Sequence, residues 1–466
     1  MSNLRSRIGG ELAPSMQQFG SSVELDSRLV EEDIAGSKAH ATMLGETGII
    51  TPEVATALVA GLEEIRNEWQ RGEFSPGEEF EDIHMAVEAR LVEKLGPMGG
   101  SLHAARSRND QIATDLRLWL RHKIQSLDGA VAALMEAILS RVETDGEVLI
   151  PGFTHLQRGQ PILLGHHLLA HAWALSRDRE RLVGALRRVD QCPLGSCAMA
   201  GTSFPIDRDR TAELLGFASV MENAMDAVSA RDHVIETVSA LGILALHLSR
   251  MAEELVVWSS SEFRLVVLDG AYASSSSIMP QKRNPDAAEL VRGRSGRSVG
   301  ALTGLLVLVK GLPLAYNRDL QEERVHLYAA VDNALSCLEI LRGVYSTLQV
   351  ERNRYRKALV GDPSLSTELA DHLVGTGLPF RDSHDRVASL MARLEEEGRG
   401  LEDLEPDEVA ALDPGLTPAA LAAILDPERA ARRKSSRGGS SPEELTRQIS
   451  LLREGLGGRT PGTQVG

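Results

Sequence analysis

The sequence predicts an all-α protein organised around a long helical bundle, and three observations predict it. In LRHKIQSLDGAVAALMEAI, the apolar residues Leu120, Ile124, Leu127, Val131, Leu134 and Ile138 recur at steps of four and three, which is one face of a helix. In HVIETVSALGILALHLSRMAEEL the same alternation runs through Val234, Val238, Leu241, Ala245, Leu248, Ala252 and Leu255. No convincing series of short alternating apolar and polar runs marks a sheet. The two stripes describe core packing rather than chemistry, and small seam residues such as Ala245 and Ala252 suit close helix approach, including approach between subunits.

Turn residues divide the chain into three regions. Residues 1–110 carry shorter helical patterns broken by Gly and Pro, as in RGEFSPGEEFEDIH. Residues 111–361 hold the long stripes, and 362–466 are rich in turns (GDPS, TGLP, LDPGLTP, SSRGGSSPEE). At 466 residues the chain exceeds what one compact core organises, so several domains or an elongated oligomerising domain are expected. Hydrophobic residues at 42% against 25% charged exclude a disordered chain. A formal net charge of -16 repels phosphate backbones and anionic membranes, so no nucleic acid and no membrane partner is expected, and small solutes are. The cysteines Cys192, Cys197 and Cys337 form no CxxC and indicate neither a disulfide framework nor a cysteine zinc site. With no signal-like N-terminus and no uncharged apolar run of about 18 residues, the expected location is the cytoplasm.

Four loops carry the polar chemistry. In SSSSIMPQKRNPDAAE (274–289), Asn284 reads as a helix N-cap with Pro285 at the first helical position, so Lys282 stands just before a positive helix end. The serines, Lys282, Asn284 and that dipole can surround an anion such as a carboxylate; a polar surface loop is the alternative. PGFTHLQRGQPI (151–162) crowds Thr154, His155, Gln157, Arg158 and Gln160 into a Gly- and Pro-bounded loop, where His155 is either structural or functional. SLHAARSRNDQIATDL (101–116) offers Arg106, Ser107, Arg108, Asn109 and Asp110 ahead of an apolar helix. Asn109 or Asp110 can cap that helix, and the arginines can pair with carboxylates of a substrate or of a neighbouring chain. GLPLAYNRDLQEERVHLY (311–328) holds Tyr316, Asn317, Arg318, Gln321 and Arg324 and also fits a solvated helix face. His167 and His171 are four apart in HHLLAH, but the glutamate of HExxH is missing and no third ligand is in view, so no metal is expected. P-loop, nucleophile-elbow and dinucleotide fingerprints are absent from the sequence.

Together these loops resemble the argininosuccinate lyase branch of the fumarase/aspartase superfamily, the superfamily signature in SSIMPQKRNPD (276–286) and the branch in ARSRNDQIATDLRLW (105–119), PGFTHLQRGQPI and LPLAYNRDLQE. EDIHMAVEARL (81–91), AGTSFPIDR (200–208) and LSTELADHLV (365–374) add lesser matches. The resemblance implies a three-domain, all-α fold whose long central helices assemble into a homotetramer, with active sites shared between subunits. It implies cleavage of N-(L-arginino)succinate to L-arginine and fumarate, the last step of arginine synthesis, without metal or organic cofactor. By the family pattern Ser276 is the base that takes the Cβ proton, Lys282 supports its alkoxide, and Lys282 with Asn284 meets the carboxylate. His155, held by Glu289, serves proton donation toward the departing nitrogen, directly or through water. Ser22, Ser107, Arg108, Asn109, Thr154, Tyr316 and Gln321 match substrate contacts, and Arg324 stands where a lysine usually meets a substrate carboxylate.

The chain departs from the pattern at IGGEL (8–12, usually WGGRF), at Ser101 and Ala104 (usually Lys and Thr), at Ser275 (usually Gly), at Arg283 (usually Lys), and at Glu323, Arg324 and Val325 (usually Asp-Lys-Glu). These changes spare the elimination machinery and touch groups that choose the substrate. They motivate a paralogue releasing fumarate from another N-substituted succinate as the alternative. An inactive, crystallin-like structural homologue is a more remote one, against which Ser276, Lys282, His155 and Glu289 stand.

Overall fold

The computed structural model describes residues 13–77 and 79–457, so the IGGEL departure at 8–12 lies outside the described residues. In chain order the main elements are α1 (Val30–Glu46), α2 (Pro52–Gln70), α3 (Ile83–Leu95), α4 (Arg108–Asp145), β1 (Leu149–Thr154), β2 (Gln157–Leu163), α5 (Leu164–Val189) and α6 (Asp232–Ser259). There follow α7 (Asp286–Val309), α8 (Glu323–Thr347), α9 (Ser366–Gly375), α10 (Phe380–Glu397), several short helices, and α11 (Pro442–Gly457). The residues form two compact units: one takes the chain up to Leu127 with Arg181–Gly242 and Arg297–Asn333, the other Asp128–Glu180, Ile243–Gly296 and the chain from Ala334. Every boundary falls inside α4, α5, α6, α7 or α8.

In the first unit, α1, α2 and α3 close a core of Val30, Ile34, Leu58, Leu62, Ile65, Val87 and Leu91. Thr51 caps α2, with Pro52 in its first turn, and Asp82 caps α3 by accepting the Met85 N–H at 2.7 Å. Beside them Trp119 of α4 packs on Tyr328 of α8, ring centroids 4.6 Å apart. In the second unit, Arg179 of α5 forks onto Asp128 of α4 at 2.7 and 2.8 Å, and His247 of α6 meets Asp178 at 2.7 Å. A separate core of Leu365, Leu369, Leu373, Leu390 and Leu394 holds α9 and α10 together.

Both predicted seams are buried: Leu120, Leu127, Leu134 and Ile138 on α4, and Val234, Val238, Leu241 and Leu255 on α6. Each such side chain contributes roughly 2 kcal/mol through burial. Among the described residues α6 is the helix long and apolar enough to cross a bilayer, yet 56% of its most apolar stretch is buried within the protein, as in a core helix.

Strand is confined to two-stranded pairings among the described residues. The stretch 151–162, read above as a loop, is mostly a hairpin: β1 and β2 pair antiparallel from Leu149↔Leu163 to Thr154↔Gln157, with a bulge between Pro151 and Phe153. Both strands are edges, so Pro151 and Pro161, which face one another, interrupt no central ladder.

Candidate active site

The hairpin exists to present its tip. His155 (φ 55°) and Leu156 (φ 57°) both adopt the left-handed conformation, which a two-residue turn matched to strand twist requires, although neither is the Asn or Gly that does so cheaply. Each carries roughly 1 kcal/mol of strain on that account. The turn leaves Thr154, His155 and Leu156 exposed. Below it, Phe153 packs on Phe263 at 5.4 Å and Arg158 Nη1 meets Asp362 Oδ2 at 2.6 Å, fixing the hairpin within its own unit.

The serine loop belongs to the same unit. Ser274 pairs with Asn284 and Ser275 with Arg283, so residues 276–282 form a closed loop. Within it the Ser276 Oγ accepts hydrogen bonds from the N–H groups of Ile278 at 3.3 Å and Met279 at 3.1 Å. Two backbone donors aimed at one hydroxyl oxygen stabilise negative charge on that oxygen, the condition a serine needs to act as a base. The loop is tied at its base by Arg283 to the Leu268 carbonyl at 2.9 Å and by Asn284 Nδ2 to Ser274 Oγ at 3.3 Å. Lys282 is exposed, and Ile278 is 82% exposed, its side chain unburied at the loop tip.

The start of α7 lies one residue later than expected. Asn284 is extended and paired with Ser274, so it does not serve as the helix cap; α7 begins at Asp286, and the Glu289 N–H bonds the Pro285 carbonyl at 3.0 Å. Glu289 therefore stands in the first turn, exposed, as the sequence placed it.

The other candidates lie in the first unit. Ser22 N–H bonds the Glu81 carbonyl at 2.8 Å, and Ser22 Oγ donates to Asp26 Oδ2 at 2.5 Å. Asp26 also receives Arg324 Nη1, while Arg324 Nε donates to the Gln321 carbonyl at 3.2 Å. Arg318 bridges the Gly20 carbonyl (2.6 Å) and Glu81 (2.8 Å); a side chain at position 20 would meet its Nη2 at 2.9 Å. Gln321 Nε2 reaches the same carbonyl at 3.4 Å. Alongside runs a second buried pair, Arg231 with Glu323 at 2.5 Å, both side chains 1% exposed. Burial raises the Tyr316 phenol, with Arg324 and Arg231 opposing.

Arg324, expected from the sequence to meet a substrate carboxylate directly, is buried within its own unit. Its side chain is 2% exposed and its bonds go to Asp26 and Gln321. Within the chain it anchors Ser22 through Asp26 and holds the Gln321 backbone.

ARSRND is held by Asp110. Its Oδ1 accepts the Ser107 N–H at 2.9 Å, and its Oδ2 accepts those of Gly195 (3.0 Å) and Cys197 (2.8 Å). Asn109 Nδ2 adds a bond to the Ala198 carbonyl at 3.0 Å. Burial pushes the Asp110 carboxyl up to about 6 against those three N–H bonds and Arg106. Within their own unit Arg106 is buried on Ser37 (2.8 Å) and feels Asp33, and Arg108 faces Asp82 at 3.5 Å and Glu88 at 3.8 Å. Beneath them His84 sits between Asp33 (3.0 Å) and Asp115 (3.3 Å), all three buried. Burial and Asp33 raise Asp115, while against burial His84, Arg106 and Gln111 together hold Asp33 down at about 2.

Sequence reasoning missed Asp26, Asp110 as a three-way tie, and the Asp33–His84–Asp115 trio. One signal follows the site: of the non-glycine residues with positive φ, Ala105, His155, Leu156 and Ala315 all lie in the candidate loops.

A family model described as "Lyase" matches residues 6–300, and one described as "Argininosuccinate lyase C-terminal" matches 363–432. The chain is 48% identical over 441 residues to a protein of Symbiobacterium thermophilum named argininosuccinate lyase, covering 95% of each. Among solved structures it superposes on a variant of EDDS lyase with bound fumarate at a TM-score of 0.82 and 27% identity, covering 97% of this chain and 91% of that one. A class II fumarase from Schistosoma mansoni matches at a TM-score of 0.76 and 16% identity, covering 90% and 94%, which is a likeness of fold.

Proposed function

We propose that this chain, which belongs to the argininosuccinate lyase family, cleaves N-(L-arginino)succinate to L-arginine and fumarate by cofactor-free β-elimination. The observation that carries the mechanism is the pair of N–H groups on Ser276 Oγ. As an alkoxide, Ser276 takes the Cβ proton beside a carboxylate, and the aci-carboxylate that develops is met by Lys282, Asn284 and the N-terminal end of α7. His155, paired with Glu289, delivers a proton toward the guanidinium nitrogen as the C–N bond breaks. Thr154, Ser107, Arg108, Asn109, Ser22, Tyr316 and Gln321 bind the substrate. Arg324 acts on it through Asp26, Ser22 and Gln321.

The same reading includes a homotetramer with active sites assembled between subunits, in the cytoplasm, and the regions 1–110, 111–361 and 362–466 as its parts. Support for assembly comes from α7. Gly293, Gly296 and Gly300 are exposed, and a Cβ at any of them would meet nothing within 4 Å. Interior glycines cost a helix roughly 1 kcal/mol each, which close approach of another backbone offsets. Leu290, Val299, Leu306 and Val307 are exposed on the same helix.

Purified protein given argininosuccinate is expected to release fumarate, followed by its ultraviolet absorbance, and arginine in equal amounts. If argininosuccinate is inert while another N-succinyl amino acid is turned over, the substrate assignment fails and the reaction class stands.

A further inference from the structure

HHLLAH gains its third ligand in three dimensions. His167 and His171, one turn apart on α5, both point at Glu254 of α6, their Nε2 atoms 2.7 and 2.6 Å from the same Oε2. The three ligand atoms lie within 4.8 Å of one another. The helices come from distant stretches of sequence, so HExxH-type spacing could not show the set; the glutamate stands 83 residues beyond His171.

We infer that His167, His171 and Glu254 form a binding site for a divalent transition-metal ion, separate from the residues assigned to the elimination. Two imidazoles and one carboxylate suit zinc, cobalt or nickel, and disfavour the hard magnesium and calcium ions. Bonds of about 2.0–2.1 Å at tetrahedral angles separate ligand atoms by about 3.3 Å, so each ring need withdraw from Glu254 by only ~0.7 Å to admit an ion. Both rings then present the Nε2 lone pair and carry their proton on Nδ1; a ring that was cationic releases one proton. His167 and Glu254 are each 29% exposed, which leaves an approach for the ion and a fourth position for water, while His171 is more deeply set. Trp258, four residues on from Glu254, packs edge-on against His167 at 4.8 Å and walls one side.

Cobalt(II) chloride titrated into the purified full-length chain tests this. One equivalent per chain is expected to produce the intense ligand-field absorbance of a four- or five-coordinate ion, displaced by zinc. His171→Phe, which keeps the volume, and Glu254→Gln are each expected to weaken binding at least tenfold, roughly the least seen when even an orienting group around a metal is lost. X-ray absorption of the zinc-loaded wild type gives a reading independent of how the variants fold: two imidazoles at about 2.0–2.1 Å with oxygen completing the shell. No absorbance, a titration unchanged in both variants, or a zinc spectrum without imidazole would overturn the site.

Discussion

Truncating Arg324 to alanine separates two roles for this side chain. The guanidinium is 2% exposed and its partner Asp26 fully buried, so Arg324→Ala strands a carboxylate out of water. Stranding one member of a buried pair costs roughly 3–5 kcal/mol. The lower end applies here. Burial already raises Asp26, and Arg324 is the strongest influence holding it down, so its loss is met in part by a further rise of the Asp26 carboxyl. The Gln321 carbonyl loses its donor as well, adding about 1 kcal/mol, for a total near 4 kcal/mol. Arg324→Lys keeps the charge, but one ammonium reaches either Asp26 or Gln321, and the loss falls to about 1–2 kcal/mol. With Ser22 and Gln321 loosened, KM for argininosuccinate is expected to rise about tenfold in the alanine variant, equivalent to ~1.4 kcal/mol. Urea denaturation at a fixed chain concentration reads the stability, and fumarate absorbance reads KM. An alanine variant as stable as wild type but with raised KM, beside a fully active lysine variant, would show the guanidinium meeting substrate directly and refute the anchoring role.

Acid is expected to act against two buried histidines: burial, aided by Arg106 and Arg117, pushes His40 and His233 down to about 3. Their contribution is complete above the ordinary histidine value and is lost as pH falls toward 3, about 3 kcal/mol each by about pH 4. Asp110, raised to about 6, acts in the opposite sense, as do Asp26, Asp115 and Glu323, raised by burial, so the histidine share is read by difference: the urea midpoint of a His40→Gln, His233→Gln variant should fall less between about pH 6 and 4 than that of wild type, and an equal or larger fall would contradict it. Activity should also fall below about pH 6, because a protonated Asp110 gives up lone pairs that hold Ser107, Gly195 and Cys197; Asp110→Asn should be weakly active and lack that limb, and a full-height limb in the variant would exclude Asp110 as its source. Gly300→Leu should improve the intrinsic helix propensity of α7 by nearly 1 kcal/mol yet dissociate the assembly, as light scattering would detect; an intact oligomer would show that α7 is not packed there.

The helical stripes were legible because the period of burial is local: each seam residue of α4 and α6 announces itself by its neighbours three and four positions away. The His155 hairpin was not, since its turn carries His-Leu where Asn-Gly would signal two left-handed residues, and its strands carry Pro151 and Pro161. Ser276 shows the limit differently. Its identity came from resemblance, whereas the two N–H groups that make it plausible as a base depend on how the chain folds back at Ile278 and Met279. Long-range pairs left no trace in sequence: Asp26 and Arg324 are 298 positions apart, and an arginine in a charged helix start looked like a surface or substrate group.

The most direct test of the account is Ser276→Ala assayed beside wild type for fumarate release from argininosuccinate, with circular dichroism and oligomeric state measured on both. Loss of the base is expected to lower kcat by roughly 10²–10⁴-fold with fold, assembly and substrate affinity retained. A folded Ser276→Ala variant that keeps more than about a tenth of wild-type turnover would contradict it, because a loss that small falls below what removing a general base does.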